Sequence, residues 1–198
     1  MRRLMLAALA AAIASPAWAG NPQVALDTSV GRIVIEADVE HAPVSAANFL
    51  AYVDKGLYAG GSFYRVVRPD NDRNPATITV IQGGVGGEDD KPPPLPPVAH
   101  ETTRSSGLRH LDGTVSLARD APGTGASEFF IVIGDAPALD FGGARNPDGQ
   151  GFAAFGRVVQ GMDVVRAINA MKAAQGDGYV KGQILDPPVA ITGARRLP

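Results

Sequence analysis

The stretch "GSFYRVVR" (61–68) decides how the chain is read. Phe63, Tyr64, Val66 and Val67 are good strand formers, so it reads as a β-strand. Strict alternation puts Phe63, Arg65 and Val67 on one face and Tyr64, Val66 and Arg68 on the other. Arg68 ends the run, where it reaches water. Arg65 shares its face with two apolar residues in the middle of the run. A strand that carries a guanidinium there has either a structural salt bridge or a task for it.

Similar apolar runs recur on both sides. "VALDTSVGRIVIEAD" (24–38) reads as a hairpin around Thr28-Ser29-Val30-Gly31. "ITVIQ" (78–82), "GTVSLAR" (113–119), "SEFFIVI" (127–133), "GFAAFGRVV" (151–159) and "PPVAITGARRL" (187–197) supply further strands. Two segments have helical spacing instead. Ala46, Phe49, Leu50 and Val53 share one face, with Ser45 as the expected cap and Gly56 at the C-terminal stop. Val164, Val165, Ile168 and Met171 form a second such face, opened by Asp163. The polar excursion 68–77 is expected as a surface loop. So is the Gly- and Pro-rich run "GGVGGEDDKPPPLPP" (83–97), where exposure explains Glu88, Asp89 and Asp90. About eight short strands and two helices far apart in sequence point to a closed all-β architecture.

The first 19 residues have the parts of a secretory signal: Arg2 and Arg3, an apolar stretch from Leu4 to Ala14, and Ala17-Trp18-Ala19. The apolar stretch is too short for a full bilayer span. Cleavage leaves one domain, 20–198, with no further membrane segment expected. The signal takes two of the 18 basic residues and none of the 20 acidic ones, so the remainder carries −4. That mild negative charge argues against general nucleic-acid binding. The chain has no Cys, which excludes thiol catalysis and thiolate metal sites and leaves the fold without disulfides. The expected compartment is a bacterial periplasm. His41, His100 and His110 lack zinc spacing, so no metal is expected. No nucleophile-elbow pattern supports a hydrolase built on His100.

"SFYRVV", "VIQGG", "GTVSLAR", "GASEFFIVIGDAPALD" and "FAAFGRVVQGMDVV" occur in one order, at spacings that resemble the cyclophilin peptidyl-prolyl isomerases. The likeness runs from about Val24 to Leu197. It implies a closed eight-stranded antiparallel barrel capped by two α-helices, and cofactor-free isomerisation of X-Pro bonds during folding of exported proteins. It also implies a role for Arg65, which matches the catalytic arginine. The proline pocket of that family lies on the outer barrel wall, so an outward face can be apolar and yet carry a charge. Gln82 matches the glutamine that orients this arginine and the substrate carbonyl. Phe63, Val80, Phe130 and Leu139 match residues at the pocket. Ala118 and Arg119 match the pair that holds the substrate backbone through main-chain groups.

Several positions depart from the pattern. Tyr64 replaces a His, Glu128 a Gln, and Phe152 a His or Tyr. Thr79 stands where a pocket Phe is common. Glu128 is expected to pair with Arg65 or Arg119, or to favour basic residues before the proline. Ala138 replaces the Trp of cyclosporin-sensitive members, so weak cyclosporin binding is expected. The expected partners are proline-containing segments of client proteins, met by a monomer. A barrel that binds such segments with little turnover is the alternative.

Overall fold

The computed structural model describes residues 20–86 and 92–198. The signal-like segment and the Glu88-Asp89-Asp90 cluster lie outside them.

The expected strands form, and they close. β1 (Gln23–Thr28), β2 (Gly31–Ala37), β3 (Ser62–Val67), β4 (Val80–Gly84), β5 (Thr114–Leu117), β6 (Phe129–Val132), β7 (Ala153–Gln160), β8 (Ala173–Gln175) and β9 (Ile184–Arg196) make one antiparallel sheet. Its order is β1-β2-β7-β5-β6-β4-β3-β9, and β9 also pairs with β1. Eight strands therefore complete a barrel, with all main-chain edges paired in the ring. The short β8 adds to β9 outside that ring.

Alternation sorts the side chains into two apolar clusters. Leu26, Ile33, Ile35, Phe63, Val66, Ile81, Val115, Phe129 and Ile131 fill the barrel interior. α1 (Pro43–Asp54) adds Phe49, Leu50 and Val53, and α3 (Met162–Asn169) adds Val165 and Ile168. A smaller cluster lies on the other side of the wall: Val67, Ile78, Val80, Phe130, Val132 and Leu139. In "FFIV", Phe129 and Ile131 face the interior while Phe130 and Val132 face this second cluster.

Three local expectations change. Ser45 does not cap α1: the helix starts after Ala42 with Pro43 in its first turn. The Glu101 carboxylate caps it instead, accepting from the Val44 and Ser45 amides at 3.1 and 2.6 Å. Gly56 does follow the helix with φ +65°, as a C-terminal stop requires. A third, four-residue helix, α2 (Thr103–Ser106), forms where none was expected, capped by Thr102. Arg68 turns back from water, because its Nη1 donates to the Met171 carbonyl at 3.2 Å and to that of Asn169, satisfying carbonyls at the end of α3.

Candidate active site

The opening strand does not keep its period. Phe63 pairs with Gly83 and Arg65 with Gln82, so Tyr64 is an extra residue without a partner in β4. This β-bulge resets the faces. Phe63 and Val66 point into the interior, whereas Arg65 and Val67 stand on the outer side with Tyr64. Phe63 is fully buried and packs edge-on against Phe129, so it does not line the outer cleft. The face shared by Phe63 and Arg65, expected from alternation, does not exist.

Outside the bulge lies a cleft of about 570 Å³. Its apolar floor is Val67, Ile78, Val80, Phe130 and Leu139, with Phe152 edge-on to Phe130 at 5.2 Å. Tyr64, Arg65, Gln82, Ala118, Arg119 and Glu128 line the rest. Every expected site residue except Phe63 is therefore brought together. Ile78 takes the wall position considered for Thr79, whose carbonyl instead accepts from the Ile133 amide at 2.9 Å. Beneath Phe130, His110 stacks on the ring at 6.1 Å and 16°.

Among the described residues, no carboxylate contacts Arg65. Its Nε and Nη2 donate to Gln183 Oε1 at 2.9 and 2.7 Å, and its Nη1 donates to Gln82 Oε1 at 3.1 Å. The Tyr179 ring lies 5.8 Å from the guanidinium. The structural salt bridge considered for Arg65 is thus absent among the described residues, and two glutamines hold it. Burial lowers the Arg65 pKa, while Tyr64 and Tyr179 oppose that shift. Arginine remains charged at any physiological pH.

The direction of the polar chain follows from Tyr64. Burial first, then the Glu128 carboxylate, push the Tyr64 phenol above its ordinary pKa, so it stays a donor. It donates to Glu128 Oε2 at 2.7 Å and accepts from Gln82 Nε2 at 2.8 Å. Gln82 must then turn its oxygen toward Arg65. Glu128 thus joins this polar chain through Tyr64. The Arg65 and Arg119 forks go elsewhere, the latter to Asp148 at 2.8 and 3.0 Å.

Two groups missed in the sequence complete the surroundings. Gln183 is fully buried, and its Nε2 donates to the Asn71 carbonyl at 2.9 Å. Asp72 and Arg145 form a buried ion pair at 2.6 Å, with side chains 0 % and 5 % exposed. Asp72 also accepts from the Ile78 amide at 3.0 Å. The 68–77 excursion is consequently a strap fastened beside the cleft, and not a free surface loop. No local signal marks Gln183 or Arg145, because their partners lie 118 and 73 positions away.

His110 also sits in a Ser–His–Asp row. Its Nδ1 is 2.7 Å from Asp140 Oδ1 and its Nε2 is 3.0 Å from Ser116 Oγ. Ser116 is fully buried, so no substrate reaches its hydroxyl. His100 makes a contact of 3.2 Å with the Gln150 carbonyl and stands outside that row.

A barrel with an apolar pocket on its outer wall and a glutamine-held arginine at the rim is the architecture of a cyclophilin. Residues 23–195 match the family described as cyclophilin type peptidyl-prolyl cis-trans isomerase/CLD, and the chain belongs to that family. A peptidyl-prolyl cis-trans isomerase of Streptomyces antibioticus is 35 % identical over 88 % of this chain and 98 % of its own. Peptidyl-prolyl cis-trans isomerase A of Dickeya dadantii is 36 % identical over 91 % of this chain and 88 % of its own. A Cryptosporidium parvum cyclophilin solved in the presence of the dipeptide Ala-Pro superposes with a TM-score of 0.67 at 20 % identity. That likeness covers 89 % of this chain and 99 % of the other, and it supports the fold.

Proposed function

We propose that this peptidyl-prolyl cis-trans isomerase accelerates X-Pro rotation through Arg65, with the proline ring seated in the Phe130 pocket. The X-Pro amide is planar by resonance, with a barrier near ~20 kcal/mol. Uncatalysed exchange takes tens of seconds, so reaching milliseconds needs about 10⁴-fold, or ~5.5 kcal/mol. Rotation makes and breaks no bond between heavy atoms. In the twisted state the proline nitrogen recovers its lone pair, and a fixed donor aimed at that nitrogen favours this state over both planar ones.

One observation carries the proposal. A guanidinium has five N–H groups. Gln183 and Gln82 occupy three, on Nε, Nη2 and Nη1. Among the described residues, one N–H on each terminal nitrogen is left over at the rim of an apolar cleft. There a charged donor is stronger than in water and needs no reorganisation. Gln82 reaches the substrate carbonyl from beside Arg65, and Ala118 and Arg119, which line the same cleft, hold the substrate backbone through their main chain. The Ala-Pro dipeptide present with the Cryptosporidium parvum protein supports proline-containing segments as substrates.

The test is NMR exchange on an Ala-Pro peptide with wild type and Arg65→Ala. Loss of a single preorganised donor predicts a ~10²–10³-fold lower rate with the fold retained. A folded wild type that does not accelerate exchange would sink the reading. We also propose an exported, monomeric protein acting on folding clients, supported by the pattern of residues 1–19. Periplasmic fractionation with an N-terminus at Gly20 checks export, and light scattering checks the monomer. Ala138 in place of a Trp leads to weak cyclosporin inhibition, which the same exchange assay measures.

A further inference from the structure

The two cleft arginines differ in how their donors are spent. Arg119 Nε donates to the Gly151 carbonyl at 2.9 Å, and Nη2 donates to the same oxygen at 2.5 Å. Nη1 and Nη2 take the two oxygens of Asp148 at 2.8 and 3.0 Å, and Nη1 also donates to the Asp120 carbonyl at 3.1 Å. All five N–H groups are thereby used within the chain, and the side chain is only 2 % exposed. Nothing on this guanidinium remains for a substrate.

What it holds is the turn that delivers Phe152. Asp148 Oδ1 accepts from the Gln150 amide at 2.8 Å, so the turn is wound around the ion pair. Gly151 has φ +62°, and a Cβ there would lie 2.6 Å from the Leu139 carbonyl oxygen, so the turn is also pressed onto the pocket floor. The Arg119 guanidinium lies over the Phe152 ring, 5.3 Å from its centre. That ring in turn meets Phe130 edge-on at 5.2 Å.

We propose that the Arg119 side chain is a positioning residue that sets the outer wall of the proline pocket by locking Phe152 against Phe130. It therefore governs substrate affinity, while Arg65 and Gln82 govern the rate of rotation. This rests on the isomerase reading for its kinetic consequence and on the fold alone for its geometric one.

Two readouts test it. In the exchange assay, Arg119→Ala should raise KM about tenfold with kcat within about twofold, the pattern of lost uniform binding. Phe152→Ala should do the same, and Arg119→Ala should add nothing in that background, because both act through one ring. Arg119→Lys keeps a charge for Asp148 but lacks the fork, so it should fall between, near threefold in KM. This variant serves if the alanine variant fails to fold. Independently of turnover, the ring protons of Phe130 and Phe152 should lose their mutual ring-current shifts in the Arg119 variants. A fall in kcat at unchanged KM, effects of the two substitutions that multiply, or unchanged ring shifts would each overturn the proposal. A wild type without turnover would overturn the isomerase reading instead, and the ring shifts would still decide the positioning role.

Discussion

Gln183 offers a sharp test of how Arg65 is aimed, because it touches the arginine and does not line the cleft. Its Oε1 accepts from Nε at 2.9 Å and from Nη2 at 2.7 Å. Gln183→Leu keeps a similar volume and removes that acceptor, leaving two N–H groups of a charged side chain unpaired. Hydrogen bonds to charged groups contribute ~1.5–3 kcal/mol each. Water at the cleft mouth recovers part of the loss, so we expect about 2 kcal/mol, or about 30-fold in kcat/KM. The ceiling is the ~10²–10³-fold expected for removing the donor outright. The bond to the Asn71 carbonyl goes as well, at about 1 kcal/mol of stability, so rates should be compared well below the unfolding temperature. The assay is NMR exchange on an Ala-Pro peptide with both single variants and the double variant. In the Arg65→Ala background, Gln183→Leu should cost nothing more in rate. A single variant within threefold of wild type, or a loss that multiplies with that of Arg65→Ala, would refute the idea that Gln183 aims the arginine.

Arg145→Ala should destabilise by ~3–5 kcal/mol, read as a lower urea midpoint, because it strands the buried Asp72 carboxylate; a change below 1 kcal/mol would mean the strap holds without the ion pair. Ester hydrolysis by the wild type should stay at the background rate despite the Ser116–His110–Asp140 row; turnover lost in Ser116→Ala would contradict the burial of that hydroxyl. Stability should also fall in acid. Burial acts to raise the Asp140 pKa, but hydrogen bonds from the His110 ring and amide outweigh it, and the net shift is down. A carboxyl with a lowered folded pKa contributes stability that is present above its unfolded value, near 3.9, and is lost as pH falls through the folded one. The urea midpoint should therefore drop as pH falls below about 4, less steeply in Asp140→Asn, and equal slopes in the two proteins would count against this bond.

Much of the barrel was legible because alternation is a local property. "FFIV" announces a wall with an interior and an exterior side, and the structure places Phe129 and Phe130 accordingly. Helical spacing at Ala46–Val53 and around Val165 is equally local, and both segments form helices, although the second ends at Asn169 and leaves Met171 beyond it. What escaped depends on closure. Glu101 reaches α1 across 57 residues, and Gln183 reaches Arg65 across 118. Neither partner differs locally from an ordinary exposed polar residue. Arg119 was legible as a cleft residue, but four of its five internal bonds depend on a turn about 30 positions away.

The bulge at Tyr64 is the instructive failure. Period-two reading assumes that no residue is inserted, and neither a Gly nor a Pro marks the insertion in "SFYRVV". It gave a guanidinium sharing a face with Phe63, which is a poor place for a charge. The extra residue removes that conflict. Phe63 keeps the interior, where it packs on Phe129. Arg65 moves outside, one strand away from Gln82, with the Phe130 pocket beside it. A regular strand could not do both, since one slip in register would send Phe63 out with Arg65. The charge in the apolar run is therefore tolerated because the bulge separates the residue that closes the core from the one that lines the cleft.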